Sequence, residues 1–202
     1  MEYLRSRVRP NQCCIDAGAH VGFYALQMAL WTAPAGRVIA FEPNPTARDV
    51  LASNVRLNDL DARIAIEPAA VGRVNGTATL YDAGNTSGLS RLGAPNPASR
   101  GTGAAVRVPV VSLDDYCRAH AIAPDWLLVD VEGAEVDALS GARELLSHRS
   151  LGVVVEVHED LWGSFGATRE QFVDVVRACG RTIAPLTGQT DPLGQYGTVA
   201  LV

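Results

Sequence analysis

The chain has 202 residues, of which 48% are hydrophobic and 19% charged, a balance typical of one folded globular domain. This composition excludes a chain that is disordered throughout. The net charge of −5 supplies no basic surface for a nucleic acid, and no stretch reaches the roughly 18 apolar residues of a membrane span. We therefore expect a cytoplasmic single domain over 1–202 that binds neither nucleic acid nor membrane.

The positions of the cysteines and the absence of lysine limit the kinds of active site that the chain can form. Cys13 and Cys14 lie in an apolar run, and the four cysteines do not show the C-x-x-C spacing that is typical of zinc sites. We expect buried thiols rather than a zinc site or disulfides. All seventeen basic residues are arginines, which excludes a catalytic lysine.

Short apolar runs alternate with segments of helical periodicity, which predicts an α/β fold with a parallel sheet covered by helices on both faces. The predicted strands, in chain order, cover 13–17, 37–42, 64–67, 78–81, 106–111, 126–131, 151–157, 181–186 and 197–202. The predicted helices cover 21–33, 45–58, 113–120, 134–147 and 169–180.

Three of these helices have capping signals at their start. Asn44 precedes Pro45, and proline is favoured at the first position of a helix, where no amide proton is needed. Ser112 with Asp115 predicts the start of a short helix, and Thr168 with Gln171 has the spacing of a capping box.

One long segment, 82–105, predicts no regular element. It contains five glycines and two prolines in 24 residues, a density of helix and strand breakers that is typical of irregular loops. Two interpretations stay open for this flexible insertion: a mobile lid, or a disordered surface loop.

The segment D-A-G-A-H-V-G at 16–22 stands where the first strand ends and the first long helix begins. Gly18 allows a tight turn and close approach of a ligand, and Gly22 allows close packing of the helix. A dinucleotide fingerprint G-x-G-x-x-G has glycine where this chain has Asp16 and Val21. The pattern favours a cationic ligand such as the methionine portion of S-adenosylmethionine; the alternative is a structural turn.

A second carboxylate, Glu42, ends the next strand. In a doubly wound sheet these strand ends face the same crevice, where an acidic side chain accepts the hydroxyls of a ribose. Glu42 is followed by Pro-Asn-Pro at 43–45, which fixes the turn. The alternative is a solvated glutamate at a strand end.

Two further strand ends carry polar pairs. Asp130 and Glu132 lie at the end of the predicted strand 126–131, and an extended chain would put both side chains on one side. They can hold an ammonium group, accept a proton or bind a metal, whereas Glu132 or Glu135 can also serve the following helix N-terminus. After the next strand, Glu156 and His158 form a pair in which the carboxylate orients an imidazole base. A structural histidine is the alternative.

Several motifs in a fixed order resemble the FkbM-type methyltransferase family. They are D-A-G-A-H-V-G-F-Y from 16, V-I-A-F-E-P-N from 38, A-A-V-G from 69, V-P-V-V-S-L-D-D from 108, V-D-V-E-G-A-E from 129 and V-E-V-H from 155. The resemblance covers roughly residues 12–160. It implies a class I, Rossmann-like fold, doubly wound, with about seven mostly parallel strands and an antiparallel last strand.

The resemblance also implies S-adenosylmethionine as cofactor and methyl transfer to an oxygen of a sugar, polyketide or similar small metabolite. By position, Glu42 would hold the ribose, Ala69 and Ala70 the adenine, and Asp130 the methionine end. The cofactor-binding candidates are Asp16, Gly18, Ala19, His20, Gly22, Glu42, Pro43, Ala69 and Asp130.

The interpretation is therefore an O-methyltransferase with a small hydroxylated acceptor. His158 is the first candidate for the base, Glu132 the second, and Glu156 the residue that orients His158. Magnesium assistance ranks below a metal-free reaction, since the sequence shows no complete set of ligands. The alternatives are a nicotinamide-dependent oxidoreductase and a noncatalytic cofactor-binding scaffold.

Overall fold

The computed structural model describes residues 1–81 and 105–202, and the backbone of 91–92. The strands, in chain order, are β1 (Cys13–Ala17), β2 (Arg37–Phe41), β3 (Ile64–Glu67), β4 (Ala70–Val71), β5 (Gly76–Tyr81), β6 (Arg91–Leu92), β7 (Ala105–Val111), β8 (Trp126–Val129), β9 (Gly152–Val157), β10 (Ile183–Pro185) and β11 (Gly197–Leu201). The helices are α1 (Glu2–Arg5), α2 (Phe23–Trp31), α3 (Pro45–Leu57), α4 (Leu113–Ala119), α5 (Glu135–Ser140), α6 (Arg143–Ser147), α7 (Glu159–Trp162) and α8 (Arg169–Ala178).

The main sheet has seven strands in the order β10-β11-β9-β8-β1-β2-β3. The five strands from β9 to β3 in this order are parallel, and β11 runs antiparallel between β9 and β10. This arrangement confirms the predicted α/β fold. The chain winds outward from β1 to β3 and then returns to β8 on the other side of β1, so the direction of winding changes beside β1.

Residues alternate between the two faces of this sheet, as the strand period requires. On one face Ile15 and Leu127 pack in a core with Leu139 of α5 and Phe172 of α8. On the other face Cys14, Val38 and Leu128 pack in a core with residues of α2 and α3. The sheet is therefore covered on both sides, as the apolar runs predicted.

The predicted caps are confirmed. The Asn44 side chain accepts hydrogen bonds from the backbone of Thr46 and Ala47 at the start of α3, and Ser112 accepts one from Asp115 at the start of α4. Thr168 and Gln171 form the reciprocal capping box at the start of α8.

The continuous helix predicted over 134–147 is wrong, because the chain breaks between α5 and α6. The carbonyl oxygen of Gly141 accepts hydrogen bonds from the Ser112 hydroxyl at 3.0 Å and from the Asp114 amide at 2.9 Å. The Asp114 carboxylate in turn accepts the amides of Glu144 and Leu145, which begin α6. The break thus results from contacts with the start of α4.

A second, smaller sheet was not predicted. It has the order β4-β7-β5-β6, with β5 and β7 paired antiparallel from Gly76↔Val110 to Tyr81↔Ala105. The expectation of no regular element in 82–105 is wrong at Arg91–Leu92, which pair with Leu80 and Tyr81. The rest of the predicted insertion, 82–90 and 93–104, lies outside the described residues.

Two expectations concern cysteines and membranes. All four cysteines are free, and three are buried, which agrees with the prediction of buried thiols. Among the described helices, none combines the length and the apolar character that crossing a membrane requires.

Candidate functional site

A cleft of about 800 Å³, including space open to solvent, lies at the carboxyl ends of β1, β2 and β8. Strand register puts Ala17 opposite both Phe41 and Val129. The next residue of each strand therefore reaches the same edge of the sheet, and these residues are Gly18, Glu42 and Asp130. Of the predicted cofactor residues, those lining the cleft are Gly18, His20, Glu42, Pro43, Ala69 and Asp130.

The turn after β1 needs glycine at position 18. Gly18 has a φ of +90°, and a Cβ built there would lie 1.7 Å from the carbonyl oxygen of Asp130. The amides of Gly18 and Ala19 both donate to the carbonyl oxygen of Phe41, at 3.0 and 2.9 Å. The ends of β1, β2 and β8 are thereby held together, leaving bare backbone at the cleft.

Glu42 is fixed at the cleft by two backbone amides. Its Oε2 accepts from the His20 amide and its Oε1 from the Asn44 amide, each at 2.7 Å. Burial raises the pKa of Glu42, while these two amides act to lower it. A carboxylate oxygen has more than one lone pair, so each oxygen of Glu42 can also accept a hydroxyl.

The part of the cleft that adjoins the second sheet is apolar. Ala69, Ala70 and Val71 line it, and Leu80 of β5 lines it from the second sheet. Small and aliphatic side chains of this kind suit a flat ring system, since they offer contact area without competing polar groups. The second sheet therefore contributes to this wall of the cleft, and the predicted contact of Ala69 and Ala70 with an adenine stays a prediction.

Asp16, Ala19 and Gly22 lie behind the cleft and are not among its lining residues. Asp16 is 1% exposed, and neither carboxylate oxygen has a hydrogen-bond partner among the described residues. Burial, followed by the charge of Glu42, raises its pKa to about 7. The predicted contact of Asp16 with a cofactor therefore stays a prediction.

Gly22 and Ala19 have packing roles in the structure. A Cβ at Gly22 would lie 2.6 Å from Leu51 of α3, and the φ of Gly22 is +97°. Ala19 is 4% exposed and packs in the core under α2 and α3. Both residues shape the turn through their packing against the protein core.

A cluster of carboxylates surrounds the imidazole of His158 beside the cleft. The Nε2 atom lies 3.7 Å from Glu132 Oε2, 3.9 Å from Glu156 Oε1 and 4.0 Å from Asp130 Oδ1. We call Asp130, Glu132, Glu156 and His158 the acidic cluster. The extended chain expected as far as Glu132 is wrong, because β8 ends at Val129 and Glu132 has a φ of +49°; its carboxylate still reaches His158.

Glu135, rather than the predicted Glu156, hydrogen-bonds His158. The Glu135 side chain is fully buried, and its Oε1 lies 2.9 Å from His158 Nδ1. Oε1 also accepts the Gly133 amide at 2.9 Å, and Oε2 accepts Trp162 Nε1 at 2.6 Å. Glu156 instead accepts a short hydrogen bond from the Tyr196 hydroxyl. From the sequence, Glu135 was expected only to favour a helix N-terminus. Its place in V-E-G-A-E, next to the strand-end acids, was the available signal for a role at the site.

The close carboxylates shift the titration of the cluster. Burial raises the pKa of Asp130, and the neighbouring Glu156 raises it further. Burial lowers the pKa of His158, but the hydrogen bond to Glu135 and the other carboxylates outweigh burial and raise it overall. The cluster therefore favours retention of a positive charge at Nε2.

Comparison with known proteins agrees with this architecture. Residues 16–182 match the Methyltransferase FkbM domain. The chain belongs to the FkbM methyltransferase family. This confirms the family resemblance drawn from the motifs.

A curated relative of similar sequence is the methyltransferase sdnD of Sordaria araneosa, 31% identical over 175 residues, which are 74% of this chain and 67% of sdnD. The structure of the FkbM methyltransferase of Methylobacillus flagellatus KT superposes with a TM-score of 0.63 at 17% identity, over 100% of this chain and 50% of that one. Aeropyrum pernix fibrillarin, solved with S-adenosyl-L-methionine, gives 0.56 at 14% identity, over 96% and 68%. This FkbM-family chain thus has the methyltransferase fold and spans about half the length of the solved FkbM protein.

Proposed function

We propose that this FkbM-family chain uses S-adenosylmethionine to methylate a hydroxyl of a sugar, polyketide or similar small metabolite. The observation that carries the proposal is the pair formed by Glu42, whose two oxygens are fixed by backbone amides, and the bare turn at Gly18. A carboxylate at the second strand end and an open turn at the first suit a nucleoside at the switch point of a doubly wound sheet.

The cleft fits this cofactor part by part. Glu42 would accept the two ribose hydroxyls, and the apolar wall of Ala69, Ala70 and Leu80 would contact the adenine. Gly18 and Asp130 would lie at the methionine end.

When bound, S-adenosylmethionine supplies an electrophilic methyl group beside a positive sulfonium. The chain's part is then to hold the acceptor in line and to take the hydroxyl proton, and positioning alone contributes much of the acceleration of such reactions. The acidic cluster adjoins the methionine end, since Asp130 belongs to both. Its base would be His158 once Nε2 has lost its proton, and Glu132 is the second candidate.

The experiment is a methyl-transfer assay on the purified chain with S-adenosylmethionine and a panel of sugars, macrolides and small hydroxylated metabolites. S-Adenosylhomocysteine and a methyl ether are the expected products. The Glu42→Ala variant serves as the negative control. The surface variant Glu144→Gln serves as the matched control. Binding of NAD in place of S-adenosylmethionine would contradict the proposal in favour of an oxidoreductase. Cofactor binding without turnover on any acceptor would contradict it in favour of a scaffold.

A further inference from the structure

The acidic cluster concentrates negative charge in front of one imidazole nitrogen. Asp130 and Glu156 follow the register pair Val129↔Val155 of the adjacent parallel strands β8 and β9, so their carboxylates stand side by side at the sheet edge. His158 lies two residues beyond Glu156, and Glu132 two residues beyond Asp130. Four polar side chains from two strand ends therefore converge on one point.

The distances within this cluster are too long for hydrogen bonds. The three carboxylate oxygens lie 3.7 to 4.0 Å from His158 Nε2, whereas an N–H···O bond spans about 2.7–3.2 Å. The His158 side chain is only 8% exposed, and carboxylate oxygens of Asp130, Glu132 and Glu156 lie around its Nε2 atom. This convergence of negative charge suits a positive charge at this point, either a proton on Nε2 or a metal ion that replaces it.

The same spacing suits a bridging metal ion. One donor atom each from Asp130, Glu156 and His158 lies within 4.8 Å of the other two. Metal bonds to nitrogen and oxygen are about 2.0–2.2 Å long, so two ligands of one ion can stand up to about 4.4 Å apart. Side-chain shifts of a few tenths of an ångström would close the site.

The other side of the imidazole is already arranged as metal sites require. A carboxylate accepts hydrogen bonds, so His158 can donate Nδ1–H to Glu135. A metal ion would then replace the proton on Nε2 and bind its lone pair. Ligand histidines regularly donate their second ring nitrogen to a carboxylate in this way. Glu135 is itself fixed by Gly133 and Trp162, which gives the imidazole one orientation.

We propose that Asp130, Glu156 and His158 bind a divalent transition-metal ion of the Mn²⁺ type. One imidazole nitrogen with two carboxylate oxygens suits Mn²⁺, Fe²⁺ or Zn²⁺, whereas Mg²⁺ prefers oxygen ligands alone. This site adjoins the acceptor end of the cleft in the proposed function, but binding of the ion requires neither cofactor nor acceptor. With Nε2 occupied, Glu132 is the base that remains.

The test is a titration of Mn²⁺ into chelator-treated protein, followed by the loss of the free-ion signal in electron paramagnetic resonance and by calorimetry. The wild type is expected to bind one Mn²⁺, and to bind Mg²⁺ at least about tenfold more weakly. Glu156→Gln and His158→Gln should each weaken Mn²⁺ binding by about tenfold or more. Glu144→Gln removes an exposed carboxylate outside the cluster and should bind as the wild type does.

Circular dichroism and the melting temperature establish that each variant is folded. Absence of Mn²⁺ binding in the wild type, or equal binding by the wild type and Glu156→Gln, would overturn the proposal. Equal affinity for Mn²⁺ and Mg²⁺ that His158→Gln leaves unchanged would also overturn it, since carboxylates alone would then hold the ion. S-Adenosylmethionine binding, measured separately without metal, reports on the proposed function and not on this site.

Discussion

The carboxylate of Glu135 holds the imidazole of His158 from the interior, with 2.9 Å between Oε1 and Nδ1. The two residues are 23 positions apart and come from α5 and the end of β9. Because Glu135 also accepts from Gly133 and Trp162, it links the loop after β8 to α7 beneath the acidic cluster. The orientation of His158 thus depends on a residue that does not line the cleft.

Glu135→Gln is expected to lower both stability and Mn²⁺ affinity. The amide of glutamine offers one oxygen where the carboxylate offers two, so one buried donor loses its acceptor at a cost of about 1.5–3 kcal/mol. Replacement of the charged partner of Nδ1 by a neutral amide should also weaken Mn²⁺ binding about 10–100-fold. Thermal melting and the Mn²⁺ titration measure these two effects.

The matched control for this prediction is Asp137→Asn on the same helix. Asp137 forms an exposed pair with Arg73, which contributes at most about 1 kcal/mol. A Glu135→Gln protein that melts and binds Mn²⁺ as Asp137→Asn does would contradict the role assigned to Glu135.

Gly18→Ala is expected to damage the cofactor cleft. The new methyl group would meet the Asp130 carbonyl oxygen at 1.7 Å, in a backbone conformation with φ of +90°, and such strained positions cost about 1–3 kcal/mol even without a clash. Both the melting temperature and the affinity for S-adenosylmethionine should fall. The control Gly163→Ala has open space around its Cβ and should leave both unchanged; similar behaviour of the two variants would show that the turn is not as tight as described.

Much of the fold could be predicted from local patterns. The bounds of β1 and β3 and the caps of α3 and α8 follow from runs of apolar residues and from side chains within four positions of one another. The second sheet could not be predicted in this way, because strands of two residues such as β4 acquire their stability from pairing with distant segments. The break at Gly141 likewise depends on Ser112 and Asp114, about 30 positions away.

The same distinction between local patterns and distant contacts applies to the residues of the candidate site. Glu42 and Asp130 were predicted because each directly follows an apolar strand. The proposed metal-ligand set of Asp130, Glu156 and His158 was not predicted, because its assembly requires that β8 and β9 be neighbours in register. Asp16 was predicted to contact a ligand; its buried side chain is not among the residues that line the cleft, and the contact stays a prediction.

The buried carboxyl group of Asp16 predicts a pH dependence of stability. Its pKa is raised to about 7 in the folded protein from about 3.9 when unfolded. Between these values the folded state binds more protons than the unfolded state, so the free energy of unfolding falls as pH rises. The Asp16→Asn variant has no titrating group at this position, so its free energy of unfolding should not show this fall with pH.

The measurement compares urea unfolding of the wild type and Asp16→Asn at pH 5 and pH 8. The free energy of unfolding of the variant relative to the wild type should increase by about 2–3 kcal/mol from pH 5 to pH 8. A difference that does not change with pH would mean that Asp16 is ionised in the folded protein and has a partner for its charge.

Calorimetric titration of S-adenosylmethionine into the wild type and Glu42→Ala tests the central claim most directly. The wild type is expected to bind one equivalent and to show no heat with NAD. The folded Glu42→Ala variant should bind more weakly by about 1–3 kcal/mol, a factor of about 5–150, because the ribose hydroxyls lose a charged acceptor. Glu144→Gln should bind as the wild type does. Equal affinity of the wild type and Glu42→Ala, or no binding by either, would contradict the assignment of this cleft to S-adenosylmethionine.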